Sequence, residues 1–317
     1  MKKCLIILLS SFLLSCGTPP KPYSLPKDTQ KIVRTAESRG FSLHRYQGEP
    51  FLLTAYERLT PSNAEKVYVY IEGDGNSWKT KYRLSDNPTP KQPLALQLAT
   101  LDPHSNVVYL ARPCQYTPPT LNPSCTPEFW SSHRYAEEII KTMDQTLDQI
   151  KAKQHNVEFT LVGFSGGASV AALLASRRND ISLLITVAGD LDHVILNKHH
   201  RTTPLNGSLN PYTLTEKLNH IPQHHWHGSK DKIVPKWMGT HFVRALKNPP
   251  CAKAHVLNGA THHDGWQDEW QHILNSSVCT EDTQVNKRVS SGTEDTQVNR
   301  RVSSGTEDTQ VNKRVPS

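Results

Sequence analysis

The stretch VEFTLVGFSGG, residues 157–167, decides the fold of this chain. Its apolar part, Val157–Phe164, is typical of a buried strand, and the small residues of Gly166–Arg177 predict a helix directly after it. The last five residues match G-x-S-x-G at the strand-to-helix turn that this motif requires. Ser165 is therefore the candidate nucleophile. The N–H of Gly166, at the start of the helix, is a candidate donor to a developing oxyanion.

Strands and helices alternate on both sides of this junction. The predicted strands are Phe41–Tyr46, Phe51–Glu57, Lys66–Glu72, Asn106–Ala111, Val157–Phe164, Ile181–Ala188, His224–His227 and Ala254–Leu257. The predicted helices are Gln92–Leu101, Phe129–Gln154, Gly166–Arg177, Trp237–Leu246 and Trp266–Leu274. Because the first two strands form an antiparallel pair and the others alternate with helices, the pattern predicts a mainly parallel α/β sheet with helices on both faces.

A serine hydroxyl needs a general base, and the base needs an orienting acid. Downstream of the serine, an apolar strand leads into G-x-x-D-x-x-V-P at residues 228–235. A second loop, between a strand and a helix, reads G-x-x-H at residues 259–262. These loops resemble the acid and histidine loops of α/β-hydrolases, whose chain order is serine, acid, histidine. The resemblance covers about residues 66–274.

The resemblance implies an α/β-hydrolase fold with Ser165 as nucleophile, Asp231 as acid and His262 as base. Alternatives stay open at two positions: Asp190 or Asp192 could supply the carboxylate, and His263 could be the base. The chain has 16 histidines, several of them in pairs, which invites a zinc site. Because no tight set of ligands occurs on one helix or loop pair, we expect no metal and no cofactor.

The second oxyanion donor is expected from the loop after the strand Lys66–Glu72. Many lipases and esterases carry His-Gly there, whereas this chain carries Gly73-Asp74-Gly75. The glycines still permit a tight turn. By position, the backbone N–H of Asp74 is the predicted donor, and the acidic side chains near the site depart from the lipase pattern.

The first residues, MKKCLIILLSSFLLSC, combine two lysines with a short apolar run. The run is too short to span a bilayer and is typical of an export signal. Its ending resembles the bacterial lipoprotein signal, which implies a signal peptide at residues 1–15 and a lipidated Cys16. A proline-rich tether would then follow, giving a tether segment of residues 16–40. An ordinary signal peptide is the alternative. Glycine rather than aspartate after the cysteine resembles the outer-membrane sorting pattern.

Four further cysteines follow in the exported chain. They are Cys114, Cys125, Cys251 and Cys279. An even number in an exported protein predicts two disulfides, and four cysteines allow three pairings. The pairs that are closer in sequence, Cys114–Cys125 and Cys251–Cys279, are favoured.

From Thr280 onward the sequence repeats with a period of 13 residues. Each copy balances acids and bases and has valine as its only sizeable apolar residue, which is too little to form a core. We therefore predict a hydrolase domain at residues 41–279 and disordered repeats at residues 280–317.

The expected function is hydrolysis of an ester-type acyl bond, in a small molecule or a lipid, by a membrane-anchored enzyme. The chain as a whole resembles α/β-hydrolase lipoproteins of Gram-negative bacteria. This resemblance implies that the protein is located in the cell envelope. A peptidase or thioesterase with the same three residues is an alternative, as is a non-catalytic binding protein on the same scaffold. The net charge of +7 is spread along the chain without a basic patch interleaved with aromatics, so no nucleic-acid partner is predicted.

Overall fold

The centre of the fold is an eight-stranded sheet. The computed structural model describes residues 23–60, 65–154, 157–247 and 251–276. The described residues form ten strands, eight in this sheet and two in a separate ribbon. They are β1 Ser42–Gln47, β2 Leu52–Arg58, β3 Lys66–Ile71, β4 Trp78–Thr80, β5 Arg83–Leu84, β6 Val107–Leu110, β7 Glu158–Phe164, β8 Ile181–Val187, β9 Gln223–Gly228 and β10 Ala252–Leu257. The sheet order is β1-β2-β6-β3-β7-β8-β9-β10, and β4 and β5 form a separate ribbon. Within the eight-stranded sheet, the β1–β2 and β2–β6 pairs are antiparallel, and all other pairs are parallel.

Helices cover both faces of the sheet. They are α1 Lys27–Ser38, α2 Leu94–Leu101, α3 Glu137–Gln154, α4 Gly166–Ala175, α5 His193–His200, α6 Trp237–Ala245 and α7 Trp270–Asn275, with 3₁₀ turns at Pro119–Leu121, Pro127–Trp130 and Pro211–Leu218. Helices α3, α4 and α6 pack in one buried cluster, and α1, α2 and α7 pack in the other. Neighbouring strand residues such as Val69 and Tyr70 belong to opposite clusters because side chains alternate along a strand. The prediction of a mainly parallel sheet with two covered faces is confirmed.

The candidate site residues follow four parallel strands of the sheet. Asp74 follows β3, Ser165 follows β7, Asp231 follows β9 and His262 follows β10. Since these strands are parallel, their carboxyl ends meet at one edge of the sheet, where α/β folds place their sites.

The predicted helix Phe129–Gln154 is shorter than expected. Its first two residues belong to the 3₁₀ turn Pro127–Trp130, and α3 begins only at Glu137. The break lies at Ser131, whose φ of −126° and ψ of −104° are not helical. The irregular segment between the two helical parts brings Arg134 and Tyr135 to the candidate site.

Helix α1 lies within the segment that was predicted to be a tether. Its buried residues Thr29, Val33 and Ala36 recur at helical spacing, and the latter two pack in the cluster that contains α2. Residues 27–38 therefore belong to the folded domain. The remaining tether residues up to 22, the signal peptide, Cys16 and the repeats from Thr280 onward lie outside the described residues.

The predicted helix Trp266–Leu274 also begins later, at Trp270. Trp266 is fully buried in the preceding turn, where its indole N–H donates to the carbonyl of Thr261 at 3.0 Å. In the described part of the chain, no helix is both long enough and apolar enough to cross a membrane.

One predicted disulfide is present. Cys114 and Cys125 are bonded and close a loop across a sequence separation of 11 residues after β6. The second predicted pair, Cys251–Cys279, cannot be placed because Cys279 lies outside the described residues.

Candidate active site

The turn after β7 holds Ser165 in an uncommon backbone conformation. Its φ of +52° lies in a region that side-chain-bearing residues rarely adopt. The turn is possible because its glycines leave no room for a side chain. A Cβ on Gly163 would lie 2.5 Å from the carbonyl oxygen of Gly167, and one on Gly167 would lie 2.3 Å from that of Ile71. The close approach of α4 to β3 and β7 therefore fixes the position of Ser165.

The structure brings the three predicted side chains together in one hydrogen-bonded chain. His262 Nε2 lies 3.0 Å from Ser165 Oγ, and His262 Nδ1 lies 2.8 Å from Asp231 Oδ2. Asp231 and His262 are buried, and Ser165 is partly exposed. The backbone N–H of Lys230 donates to the carbonyl of Ala260 at 2.9 Å, which ties the acid loop to the histidine loop.

Asp231 is held as a carboxylate. Burial, the largest single influence, would raise its pKa, but the hydrogen bond and charge of His262 together with two backbone donors keep the pKa below its ordinary value. Two backbone donors assist, since the N–H groups of Ile233 and Val234 lie 2.7 and 2.9 Å from Oδ1. Both oxygens of the carboxylate are thus occupied, and the side chain has one orientation.

The three rival residues have other partners. The His263 ring packs edge-on against His262, and burial lowers its pKa. Asp192 caps α5 through the N–H of Val194 and lies 3.0 Å from His241 Nε2. Asp190 accepts a hydrogen bond from the hydroxyl of Tyr135 at 3.1 Å. None of these side-chain contacts joins a rival to the Ser165 hydroxyl, and Asp190 reaches Ser165 only through its backbone N–H, which donates to the Ser165 carbonyl at 3.1 Å.

The loop after β3 lies directly against the nucleophile. A Cβ on Gly73 would be 3.2 Å from that of Ser165, and one on Gly166 would be 2.1 Å from Asp74 Oδ1. The predicted oxyanion residues, Asp74 and Gly166, are therefore adjacent in space. Their role as oxyanion donors stays a prediction.

The side chain of Asp74 is clamped between two arginines, an arrangement that the sequence did not indicate. Arg112 Nη1 pairs with Oδ1, and Arg134 Nη1 lies 2.7 Å from Oδ2. Both guanidiniums also lie over the ring of Tyr135, at 5.2 and 5.6 Å from its centroid. Burial would raise the pKa of Asp74, but the two arginines outweigh burial and lower it. We call Asp74, Arg112 and Arg134 the arginine clamp.

Comparison with known proteins fits this geometry. The model of the family described as serine hydrolase (FSH1) matches residues 101–264, just over half of the chain. The chain belongs to this family. The matched segment contains Ser165, Asp231 and His262, so the hydrogen-bonded residues lie within the shared part of the family. No curated protein matches the chain.

Solved structures share the fold of this FSH1 serine hydrolase at low sequence identity. The lip1 protein of Acinetobacter baumannii AYE has a TM-score of 0.52 at 13% identity, covering 88% of this chain and all (100%) of its own. The Pyrococcus furiosus esterase PF2001 has a TM-score of 0.50 at 14% identity, covering 75% and 91% of the two chains. The Pyrococcus horikoshii acylaminoacyl peptidase has a TM-score of 0.50 at 10% identity, covering 84% of this chain and 43% of its own. Together they confirm the α/β-hydrolase fold.

Ser165 lines a cleft of about 440 Å³. The walls come from α1, from the loops after β3 and before α2, and from the acid and histidine loops. The lining residues are Asp28, Glu72, Asp74, Gly75, Asn76, Pro90, Lys91, Gln92, Phe164, Ser165, Ile233, His262 and His263. At its base, burial raises the pKa of Glu72 to about 7, although the N–H of Gly73 and the hydroxyl of Tyr109 donate to its carboxylate.

The histidines of this serine hydrolase do not gather around a common centre. Within the described ranges, no group of three or more His, Cys, Asp or Glu residues could hold a metal ion. Instead, the strand histidines are used structurally: His224 Nδ1 lies 2.8 Å from His255 Nε2, and His225 Nδ1 lies 2.9 Å from the hydroxyl of Thr186.

We expect Asp190 to make the folding stability of the protein depend on pH. Burial raises its pKa from the ordinary value of 3.8 to about 7, although Arg134 opposes the rise. The unfolded chain loses this proton at a lower pH than the folded chain does. The contribution of Asp190 to the free energy of unfolding is therefore present at acid pH and is lost as the pH rises through about 7. The isosteric change Asp190→Asn removes this loss. We expect the variant's unfolding free energy, relative to the natural chain, to rise by up to about 4 kcal/mol between pH 4 and pH 8.

Urea unfolding followed by tryptophan fluorescence at both pH values measures this difference. The exposed Asp268→Asn variant is the control and should shift the relative unfolding free energy little. Equal differences at the two pH values for Asp190→Asn would contradict the prediction.

Proposed function

We propose that this serine hydrolase cleaves carboxylic esters through an acyl-enzyme on Ser165. The observation that carries the proposal is the continuous hydrogen-bonded chain from Ser165 through His262 to Asp231. A serine with a histidine in reach and a carboxylate on the other ring nitrogen is the arrangement that activates a hydroxyl for attack on an acyl carbon.

The proposed acylation begins when His262 Nε2 takes the proton of Ser165 Oγ as this oxygen attacks the ester carbon. Asp231 holds the imidazole with its Nδ1 proton toward the carboxylate and stabilises the imidazolium that forms. The imidazolium then gives its proton to the departing alcohol. Water, activated by the same histidine, attacks the acyl-enzyme, releases the acid and restores the serine.

The negative charge that develops on the ester carbonyl oxygen needs hydrogen-bond donors close to this oxygen. Helix α4 begins at Gly166, and the N–H groups of a first helical turn have no acceptor within their own helix. The Gly166 N–H is the first proposed donor. The Asp74 N–H, on the loop that touches Ser165, is the second.

The arginine clamp supports this second donor. A carboxylate beside a developing oxyanion would oppose the reaction, because like charges repel. Two guanidiniums against one carboxylate reverse the local charge and leave it net positive. They also fix the Asp74 backbone, while the Gln115 side-chain amide holds the carbonyl of Gly73 at 3.0 Å. We propose that Arg112 and Arg134 position the oxyanion loop.

Removing one arginine should lower kcat more than it changes KM. In Arg134→Gln the Asp74 carboxylate keeps only one partner, so the oxyanion loses both charge compensation and a fixed donor. We expect kcat for 4-nitrophenyl acetate to fall roughly 10- to 100-fold, because the oxyanion exists only in the transition state. Arg134→Lys should recover part of this loss.

Arg178 is a matched control for this experiment. It is also a mostly buried arginine among carboxylates, pairing with Asp144, Asp148 and Asp180, but it follows the end of α4 that lies away from Ser165. Arg178→Gln should lower the melting temperature without lowering kcat. If Arg134→Gln and Arg178→Gln have the same kinetic effect, the arginine clamp has no positioning role.

Esters are proposed before amides because they need less activation of the leaving group, but the same three residues also serve peptidases and thioesterases. The direct test has two parts. A fluorophosphonate probe should label the purified chain, and mass mapping should place the label on Ser165. Release of 4-nitrophenol from 4-nitrophenyl acetate should stop in the labelled protein. A chain that is unlabelled and inactive on esters, thioesters and peptides would instead be a binding protein on this scaffold.

We further propose that the enzyme is anchored in the bacterial cell envelope through a lipidated Cys16, with the outer membrane as its site. The support is the sequence pattern around this cysteine. Cys16→Ser should move the protein from the membrane to the soluble fraction or block its processing. Membrane fractionation and normal maturation of this variant would contradict the anchor.

A further inference from the structure

The cleft at Ser165 continues into a second hollow of about 250 Å³. The two spaces share the lining residues Asp28, Lys91, Gln92 and His263, so they adjoin. The second hollow runs between α1, α2 and the histidine loop and ends near Gln267. A ligand bonded at Ser165 can therefore extend along a groove, which we call the side groove.

Helix α1 forms one wall of the side groove and is fixed there. The Thr29 side chain is fully buried, and its hydroxyl donates to the carbonyl of Pro90 at 2.5 Å. Asp28, the preceding residue, is thereby held at the rim where the cleft and the side groove meet. Lys91, which follows Pro90, lies at the same rim.

Polar side chains dominate the side groove. Its apolar lining residues are Ile32 and Leu94, and its polar ones are Asp28, Lys31, Lys91, Gln92, Gln97, His263, Asp264 and Gln267. Asp28 and Lys91 are exposed, and within the described ranges neither enters an ion pair with another side chain. Ligand sites are usually mostly apolar with a few polar groups, so this groove differs from that pattern.

The apolar side chains of the cleft lie next to the nucleophile. They belong to Phe164, Ile233 and Pro90, with Phe164 packed against His262 at a ring separation of 5.1 Å. This patch suits a short acyl chain. A long acyl chain would have to lie along the side groove and strip water from carboxylate, ammonium and amide groups without replacing their hydrogen bonds.

We propose that the substrate is a short-chain acyl ester of a polyhydroxylated alcohol, as in an acylated carbohydrate. The acyl group lies against Phe164 and Ile233, and the hydroxyl groups of the alcohol bond to Asp28, Lys91 and the amides of the side groove. Carboxylates, amides and ammonium groups together offer both acceptors and donors, which matches hydroxyl groups that can donate and accept. This inference rests on the proposed ester hydrolase function.

Two esters with the same acyl group and the same ring size test the proposal. Methyl 6-O-acetylglucopyranoside carries hydroxyls on its ring, and cyclohexylmethyl acetate carries none. We expect kcat/KM of the purified chain, measured by acid release, to favour the sugar ester by at least about tenfold. For acyl length, 4-nitrophenyl acetate should be preferred to 4-nitrophenyl octanoate.

Variants assign the preference to the side groove. Asp28→Ala and Lys91→Ala should each lower the ratio of the two kcat/KM values by roughly tenfold, mainly through KM for the sugar ester. The exposed residues Asp268 and Lys198 lie outside the groove, and their alanine variants should keep the ratio of the natural chain. Melting temperatures of the four variants show whether α1 and its surroundings remain folded.

Failure of this inference differs from failure of the proposed function. If Ser165 is labelled and 4-nitrophenyl acetate is hydrolysed, but cyclohexylmethyl acetate or the octanoate is preferred, only the substrate class is wrong. An unchanged ratio in folded Asp28→Ala and Lys91→Ala variants also overturns it. If Ser165 is not labelled and no ester is cleaved, both proposals fail.

Discussion

Replacing Ser165 by alanine is expected to reduce kcat for 4-nitrophenyl acetate by at least about 10⁴-fold while the protein stays folded. The methyl group cannot attack the ester carbon, and no acyl-enzyme can form. The fold should persist because Ser165 is partly exposed and, among the residues that the structure describes, its hydroxyl bonds only to His262. Kinetics and thermal unfolding followed by circular dichroism measure the two effects.

Alanine at Ser38 provides the control for this change. Within the described part of the chain, the hydroxyl of this exposed serine at the end of α1 bonds only to the carbonyl of Thr35, so its loss should leave kcat unchanged within error. Fluorophosphonate should label the Ser38→Ala variant and not the Ser165→Ala variant. Turnover by folded Ser165→Ala within tenfold of the natural chain would refute the assignment of the nucleophile.

Replacing Asp231 by asparagine is expected to lower kcat by about 10³- to 10⁴-fold. The two backbone N–H groups at Oδ1 would hold the amide oxygen of the new side chain, so its NH₂ group would face His262. The imidazole would then accept at Nδ1 and carry its proton on Nε2. In that tautomer it cannot take the proton of Ser165, and the imidazolium loses its counter-charge.

Asp192 offers a close match to Asp231, because it is also buried and lies 3.0 Å from a histidine, His241. Asp192→Asn should change kcat less than tenfold, since His241 has no contact with the nucleophile. The protonation state of His262 can be read separately from its imidazole proton resonances. Equal losses of kcat in the two variants would mean that Asp231 has no special role in orienting His262.

The sequence predicted the parts of the site that follow from a strand and a turn. Ser165, Asp231 and His262 each occur in a short motif directly after an apolar strand, and the parallel sheet then brings the strand ends together. The sheet itself could be predicted for the same reason. Buried strands of a parallel sheet, such as β7, are largely apolar along their length. Such a run in the sequence favours a strand.

The arginine clamp could not be predicted, because its members come from three separate loops without a motif. Arg112 and Arg134 are 38 and 60 residues from Asp74 in sequence. Arg134 also lay within a stretch whose apolar spacing predicted a continuous helix. Only the non-helical backbone at Ser131 turns the chain toward the site, and side-chain periodicity carries no signal for such a break.

Helix α1 escaped prediction for a different reason. It buries only Thr29, Val33 and Ala36, and its other residues are largely polar. The segment follows a proline-rich stretch, and because its apolar face is so small, its sequence resembles that of a linker. Its packing depends on α2, more than 50 residues further along the chain, and local sequence cannot report that contact.

The docking of α1 has a practical consequence for defining the minimal catalytic unit. A boundary drawn at residue 41, where the first strand approaches, would keep Ser165, Asp231 and His262 but delete one wall of the cleft. Such a truncated protein would expose the buried face of α2, including Leu94 and Leu98, to water. Activity assays and crystallisation screens should therefore use protein that begins before Tyr23, whose hydroxyl still contacts Thr89 at 3.3 Å. A shorter fragment would report on chemistry without its natural selectivity.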